Sequence, residues 1–333
     1  MIDEIREIRS RTRREERPED YVAVWSEYEP YKGRERSFVI VLRTHGCFWF
    51  YHSGCSMCGY FSDTNPSPVG GESLMVQVEK ARKKYRGEKV VKIYNSGSFL
   101  DPREIDRETQ LKIIQSFPEA ERIIVETRPE FINEDTLQLF RDFRERLMIA
   151  IGLESSDENV LRKSINKGFT PSLFLERAGL ARSMGFSIKT YILLKPPFLT
   201  ESQAIEDSVK SAIFSSQVSD VISLNPVNVQ NYTLVEKLWR EGYYRPPWLW
   251  SVVEVLRRTS HLKRVVSFPT APGSMRGAHN CRDCDDQVIR AIEDFSFTQD
   301  PGVLDNLPDC DCRRRWEKII RYENLSFTTL GDQ

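Results

Sequence analysis

The 333-residue chain has no apolar run near the roughly 20 residues that cross a bilayer. Its longest apolar stretches, 147–153 and 191–194, have the length of buried strands. The opening Met-Ile-Asp-Glu-Ile-Arg lacks the apolar core of a signal peptide. A cytoplasmic location and no membrane partner are therefore expected. Also missing is any excess of charge: 48 Lys plus Arg stand against 49 Asp plus Glu. No global field attracts a polyanion, so a nucleic-acid surface has to be a local patch. Two stretches qualify, the arginine-dense opening from Arg6 to Arg17 and the run Arg313-Arg314-Arg315. For both, a solvated helix face is the plain alternative. Internal repeats and low-complexity segments are absent too.

An even cysteine count is the other thing the chain lacks. Seven cysteines in a cytosolic chain argue against a disulfide framework. They fall into two distant groups, Cys47, Cys55 and Cys58, then Cys281, Cys284, Cys310 and Cys312. Three plus four leaves none over. The remaining composition, 40% hydrophobic and 29% charged, is that of a folded globular chain of about two domains.

Residues 1–30 are highly charged and read as an exposed helix followed by a loop, with Pro18 and Pro30 as breaks. Short β-rich runs then recur at 38–42, 90–94, 122–126, 147–153, 187–194 and 221–224. Helix-length polar segments separate them, at 72–86, 103–117, 134–146, 157–183 and 201–216. Strands read without alternation, spaced by helices, indicate parallel strands buried on both faces. The expected fold class is α/β, a partial parallel (βα)6 barrel over 31–230. A small C-terminal α+β extension with a four-cysteine metal site is expected over 231–333.

The loop Cys47-Phe-Trp-Phe-Tyr-His-Ser-Gly-Cys55-Ser-Met-Cys58-Gly-Tyr60 follows the first of these strands. The C-terminal ends of barrel strands are where such folds place chemistry. Three thiolates leave one iron of a 4Fe–4S cubane without a protein ligand. Zinc, with His45 or His52 as fourth ligand, is the competing reading. The loop resembles the cluster loop of radical S-adenosylmethionine enzymes, with seven residues in place of the usual three between the first two cysteines. An aromatic such as Tyr60 is typical there. Asn95-Ser96-Gly97-Ser98 resembles the superfamily's segment that meets the methionine amino group. Segments around Glu126, Glu154 and Lys167 resemble the branch near the Elongator catalytic subunit. By that resemblance Glu154 contacts the ribose hydroxyls and Lys167 the methionine carboxylate. The plain alternatives are a helix cap for Glu154 and a surface position for Lys167. Gly70-Gly71-Glu72 matches the superfamily's tripeptide but precedes a helix, and it reads as a decoy. The resemblance implies a 4Fe–4S cluster, S-adenosylmethionine and a low-potential electron donor.

Cys281-Arg-Asp-Cys284 and Cys310-Asp-Cys312 form two close pairs, the pattern of one structural Zn2+. An auxiliary iron–sulfur cluster, His279 in place of a cysteine, or no metal are the alternatives. The adjoining Arg313, Arg314, Arg315 and Trp316 would present a cationic, stacking face to RNA. More of the chain resembles one family, the radical S-adenosylmethionine subunit of archaeosine synthase. The resemblance rests on the wide cysteine gap, Tyr94-Asn95-Ser96-Gly97-Ser98-Phe99, Tyr191-Ile-Leu-Leu-Lys195-Pro-Pro-Phe198 and the cysteine-bearing tail. It implies tRNA as substrate, a lysine-transferring synthase subunit as partner, and radical carbon–nitrogen cleavage of a lysine-bearing deazaguanine. Another radical tRNA-modifying enzyme, or a non-catalytic zinc-containing RNA-binding protein, are the other readings.

Overall fold

In the computed structural model, which describes residues 1–325, one eight-stranded sheet runs in sequence order from edge to edge. The chain enters through helix α1 (Ile2–Ser10) and strand β1 (Ala23–Pro30), which pairs antiparallel with β2 (Arg34–Val41). All later pairings are parallel. After β2 come α2 (Phe48–His52), α3 (Gly71–Arg82), β3 (Val90–Tyr94), α4 (Arg107–Gln115), β4 (Arg122–Thr127) and α5 (Glu134–Leu139). β5 (Leu147–Glu154), α6 (Pro171–Ser183), β6 (Ser187–Leu194), α7 (Glu201–Ser215) and β7 (Val221–Pro226) continue the βα alternation. The chain closes with α8 (Leu234–Arg240), α9 (Leu249–Thr259), the two-residue β8 (Val265–Val266), α10 (Asp285–Thr298) and α11 (Asp311–Tyr322). Strands β2 to β7 form the curled partial parallel barrel expected over 31–230, and β8, from the stretch expected to be an extension, adds a further parallel strand to it.

Three details differ from the sequence reading. The segment taken as a loop before Pro30 contains β1, an edge strand whose Glu27 and Glu29 disguise it as solvent-exposed chain. The strands do alternate. One parity (Ile93, Val125, Ile149, Ile188) packs against the helices in the main apolar core. The other parity lines the concave side and carries Lys92, Tyr94, Glu126, Lys189 and Tyr191. The lower part of this inner face is apolar, with Val90, Ile124, Met148 and Ala150 in contact. Above it Glu29 reaches across from β1 and forms ion pairs with Lys92 and, at 3.0 Å, with Lys189 of β6. Burial alone would raise the Glu29 carboxyl, yet Lys189 and Lys92 hold it down at about 2. Finally, 157–183 is not one helix. A short π-helix (Val160–Ile165) ends at Asn166 in the left-handed region, and α6 restarts on a Thr170 cap with Pro171 at its first position. Gly70-Gly71-Glu72 starts α3, with Glu72 in its first turn, as expected.

The core does not stop at residue 230. Trp248, the N-cap of α9, and its Leu249, Val252 and Leu256 belong to the same buried cluster as the outer faces of β6 and β7. Val288 and Ile292 of α10 and Trp316 of α11 extend it to the tail.

Candidate functional site

The seven-residue gap between Cys47 and Cys55 is filled by one turn of helix, α2, for which Cys47 is the N-cap. So short a helix leaves its carbonyls without internal donors. The N-terminal helix supplies them. Arg9 donates through Nη1 to Phe50 O at 2.8 Å and to Ser53 O at 3.0 Å. Arg6 donates to His52 O at 3.0 and 2.8 Å. Arg14 donates to the Tyr51 hydroxyl at 2.9 Å, and its guanidinium lies 4.2 Å from the Phe61 ring centre. Three of the arginines offered above for nucleic acid therefore clamp the cysteine loop instead. Gly54 follows, at φ +83°, where a Cβ would fall 1.5 Å from Arg9 Nη2. That nitrogen is buried and has no hydrogen-bond partner.

A second set of bonds ties the loop to the segment after β5. Trp49 Nε1 donates to Asn166 O at 2.7 Å, Asn166 Nδ2 donates to Gly54 O at 2.7 Å, and Ser56 Oγ donates to Ser164 O at 2.7 Å. Arg128, just past β4, donates to Lys167 O at 2.9 Å and to Glu130 at 2.5 Å. Burial pushes the Cys47 thiol up to about 11 and the Cys58 thiol up to about 12. Groups held neutral in this way ionise on binding a metal, because the metal replaces the lost solvation.

The other expected residues converge on the same end of the sheet. Asn95 to Ser98 follow β3, and Ser96 O accepts from Cys47 N at 3.3 Å. Ser96 is held at φ +52°, a conformation costly for a residue with a Cβ. Beneath the segment lies Glu104, which the sequence reading missed. Its carboxylate accepts from Thr44 Oγ1 at 2.5 Å, Asn95 Nδ2 at 2.6 Å and Ser98 N at 2.8 Å. A Cβ on Gly97 would lie 2.1 Å from it, so glycine is required there. Burial raises Glu104 to about 7. The available signal was an acid set between Leu100 and Ile105, both fully buried. Asn95 Oδ1 has no partner, leaving a buried acceptor beside the cysteine loop.

Glu126 stands at the end of β4, raised to about 7 by burial, with Tyr191 as hydrogen-bond partner. Glu154 ends β5 beyond a bulge, at φ +71°, and pairs with Lys167 at 2.7 Å. Both are buried, so Lys167 is not a surface lysine and Glu154 caps no helix. Tyr60 faces the open mouth, 51% exposed. Its hydroxyl end is turned inward against Gln230, where burial, then Cys58 and Glu126, raise it. Among the described residues the barrel cysteines form no set, with or without a histidine, close enough for a single ion. His45 instead stacks on Tyr51, with ring centres 4.6 Å apart.

The tail cysteines are arranged differently. Cys284 and Cys312 sulfurs lie 3.4 Å apart, Cys281 and Cys310 3.5 Å, Cys281 and Cys284 3.8 Å. All four ligand atoms fall within 4.8 Å of one another. A tetrahedral ion with metal–sulfur bonds of about 2.3 Å spaces its sulfurs by roughly 3.8 Å. A cubane binds each thiolate to a different iron and spreads them further. Trp250 Nε1 donates to Cys312 Sγ at 3.1 Å and Asn280 Nδ2 to Cys284 Sγ at 3.5 Å. His279 turns its Nδ1 to Gly277 O at 2.8 Å and stands outside the four-sulfur set. Trp316 is no stacking surface: it is 6% exposed and donates to Ser251 Oγ at 2.8 Å.

Comparison with known proteins agrees with this geometry. Residues 41–208 match the Radical SAM superfamily. A protein of Methanosarcina acetivorans named archaeosine synthase subunit beta is 38% identical over 97% of this chain and 96% of its own. The protein of that name from Thermococcus kodakarensis is 38% identical over 84% of this chain and 90% of its own. Among solved structures, methylornithine synthase superposes with a TM-score of 0.51 at 16% identity, over 84% of each chain.

Proposed function

The chain belongs to the radical SAM superfamily and to its archaeosine synthase subunit beta family, and from this premise we propose that it forms archaeosine in tRNA. It is a radical SAM enzyme that uses a 4Fe–4S cluster and S-adenosylmethionine. When bound, these cofactors supply a reductively generated radical that removes a hydrogen atom from the substrate. Cys47, Cys55 and Cys58 are the residues assigned to the cluster. One observation carries this assignment: the loop they share is bonded on one side to α1 and on the other to the Asn166 segment. Further groups at the same end of the sheet support the reading. The unpartnered Asn95 Oδ1 suits an ammonium donor, and Ser96 to Ser98 offer backbone beside it. Lys167 suits a carboxylate and Glu154 ribose hydroxyls, with Tyr60 and Glu126 lining the rim.

The substrate we assign is tRNA carrying a deazaguanine to which lysine is joined through its side-chain nitrogen. Loss of a hydrogen atom from the neighbouring carbon would be followed by loss of one electron, for which the oxidised cluster would be the acceptor, and of the nitrogen-bound proton to water, leaving a carbon–nitrogen double bond. Water opens that bond to the amidine of archaeosine and an aldehyde. The relatives are named as one subunit of a synthase, which implies a partner subunit and tRNA. The lysine-transferring subunit is the partner we assign, with a low-potential donor supplying electrons. The sulfur spacing of the tail supports one Zn2+ held by Cys281, Cys284, Cys310 and Cys312. The deciding assay is anaerobic and contains reductant, S-adenosylmethionine and tRNA first charged by the partner. Archaeosine and 5′-deoxyadenosine are expected in equal amounts. Cofactor cleavage with the lysine-bearing tRNA left intact refutes the substrate.

A further inference from the structure

One cavity, of about 770 Å³, lies away from the cysteine loop. It is a groove between the loop leaving β6, the turn after α8 and the outer face of α11. Its size falls in the range of ligand sites, about 300–1,000 Å³. Two positive charges on α11 border it, Arg315 and Lys318, one helical turn apart and both exposed. Neither has an ion-pair partner among the described residues. Their neighbours in the arginine run differ: Arg313 pairs with Glu317 and Arg314 with Asp309 and Asp311. The two carboxylates in the groove are already engaged. Glu201 holds Lys195 at 2.5 Å and accepts from Trp248 N at 2.8 Å, while Glu323 accepts from Glu201 N at 2.8 Å. The groove therefore presents net positive charge.

Its remaining border is aromatic and unusually open. Tyr243 is 81% exposed, Tyr322 50% and Phe198 44%. Phe198 is also held at φ +71°, so the fold keeps a strained, solvent-facing ring in place. Free cations beside exposed rings match a single strand of nucleic acid, whose phosphates take the charge and whose bases stack. Acidic peptide would use the charge but leave the rings in water. The groove also connects with the cysteine loop: Leu199, Leu238 and Tyr244 of its wall share one apolar cluster with Cys55 and Met57.

We propose that this groove holds a single-stranded segment of the substrate RNA, with Arg315 and Lys318 on phosphates and Tyr243, Tyr322 and Phe198 against bases. The inference deepens the tRNA reading and rests on it. It also gives the tail metal a task. Cys310 caps α11 and Cys312 lies in its first turn, so the ion fixes the cationic wall of the groove.

Fluorescence anisotropy with the full-length protein tests this, using an unmodified tRNA transcript and a ten-nucleotide oligoadenylate over a range of salt. Arg315→Ala with Lys318→Ala should reduce the slope of log affinity against log salt by about 1.4, at about 0.7 per lost single-strand phosphate contact. Tyr243→Ala should weaken both RNAs roughly tenfold with the slope retained. Arg315→Lys with Lys318→Arg should keep the wild-type slope, and zinc content reports that each variant is folded. Arg313→Ala with Arg314→Ala should change the slope by less than half as much. An equal change there, or unchanged binding in the first two variants, overturns the groove. Wild-type protein that binds neither RNA overturns it too. If the variants behave as stated but the lysine-bearing tRNA is left intact by the wild type, the groove stands and the archaeosine reading falls.

Discussion

The barrel carries its three cysteines on a loop at the rim of an open concave face, whereas the tail gathers four where two helices begin. Around the barrel set three cations, Arg9, Arg128 and Lys167, lie close enough to feel the cysteines, with Glu104 as the nearby acid. The side chains that donate to the tail sulfurs are neutral, an indole N–H and a carboxamide. The barrel loop is held by bonds from outside it, from α1 and from the Asn166 segment. In the tail the sulfurs themselves join the starts of α10 and α11. An open site needs a scaffold that stands without its metal, while a closed site is the scaffold. Separate fates on losing metal should follow.

The largest effect tests that separation directly. Cys58→Ala should reduce bound iron to background and abolish cleavage of S-adenosylmethionine, while zinc and thermal stability stay near wild type. Loss of zinc together with iron would mean the two sites are one unit. Cys284→Ser should do the reverse, releasing zinc and lowering Tm by several degrees. Iron measured after anaerobic reconstitution should remain. Arg9→Ala comes next. Removing the donor to Phe50 O and Ser53 O should weaken iron retention about tenfold, the usual size for an outer-shell partner. Zinc content should not change. Smallest is a pH effect confined to the barrel. Glu104 is raised from 4.5 in the unfolded chain to about 7 by burial. Its contribution to stability is thus complete below about 4.5 and lost as pH rises through about 7. Glu104→Gln should flatten the fall in Tm between pH 5 and pH 8 by a few degrees. An unaltered pH profile would remove Glu104 from this role.

Much of the barrel was legible because its strands are apolar runs at helix-length spacing, and the three-plus-four division of cysteines marked both sulfur sites. What was lost had identifiable causes. β1 is an edge strand with Trp25, Glu27 and Glu29 in place of an apolar run, so its pattern resembles exposed chain. The inner parity of the strands was overlooked because Lys92, Glu126 and Lys189 were read as parts of runs without alternation rather than as a lining. Trp316 was misassigned because three adjacent arginines drew attention to charge. Helical spacing places Cys312, Trp316, Ile319 and Ile320 on one apolar face, which the sequence already displayed. The role of α1 was not legible: nothing in Arg6 or Arg9 names a carbonyl about 40 residues away as its acceptor.

The ion pair between Glu29 and Lys189 spans 160 residues of sequence. During synthesis, at roughly 5–20 residues per second, Glu29 therefore leaves the ribosome some 10–30 s before its partner. For that interval the β1–β2 hairpin lacks the β6 strand that completes burial of its inward carboxylate. The buried glutamate is an asset at this stage. While unpaired it keeps a charge on the face that would otherwise aggregate; Lys92 of β3 pairs with it first, and Lys189 joins only when β6 arrives. Ribosome-bound chains stalled before residue 187 should accordingly be cut by protease within β1, and chains stalled well beyond residue 194 should resist.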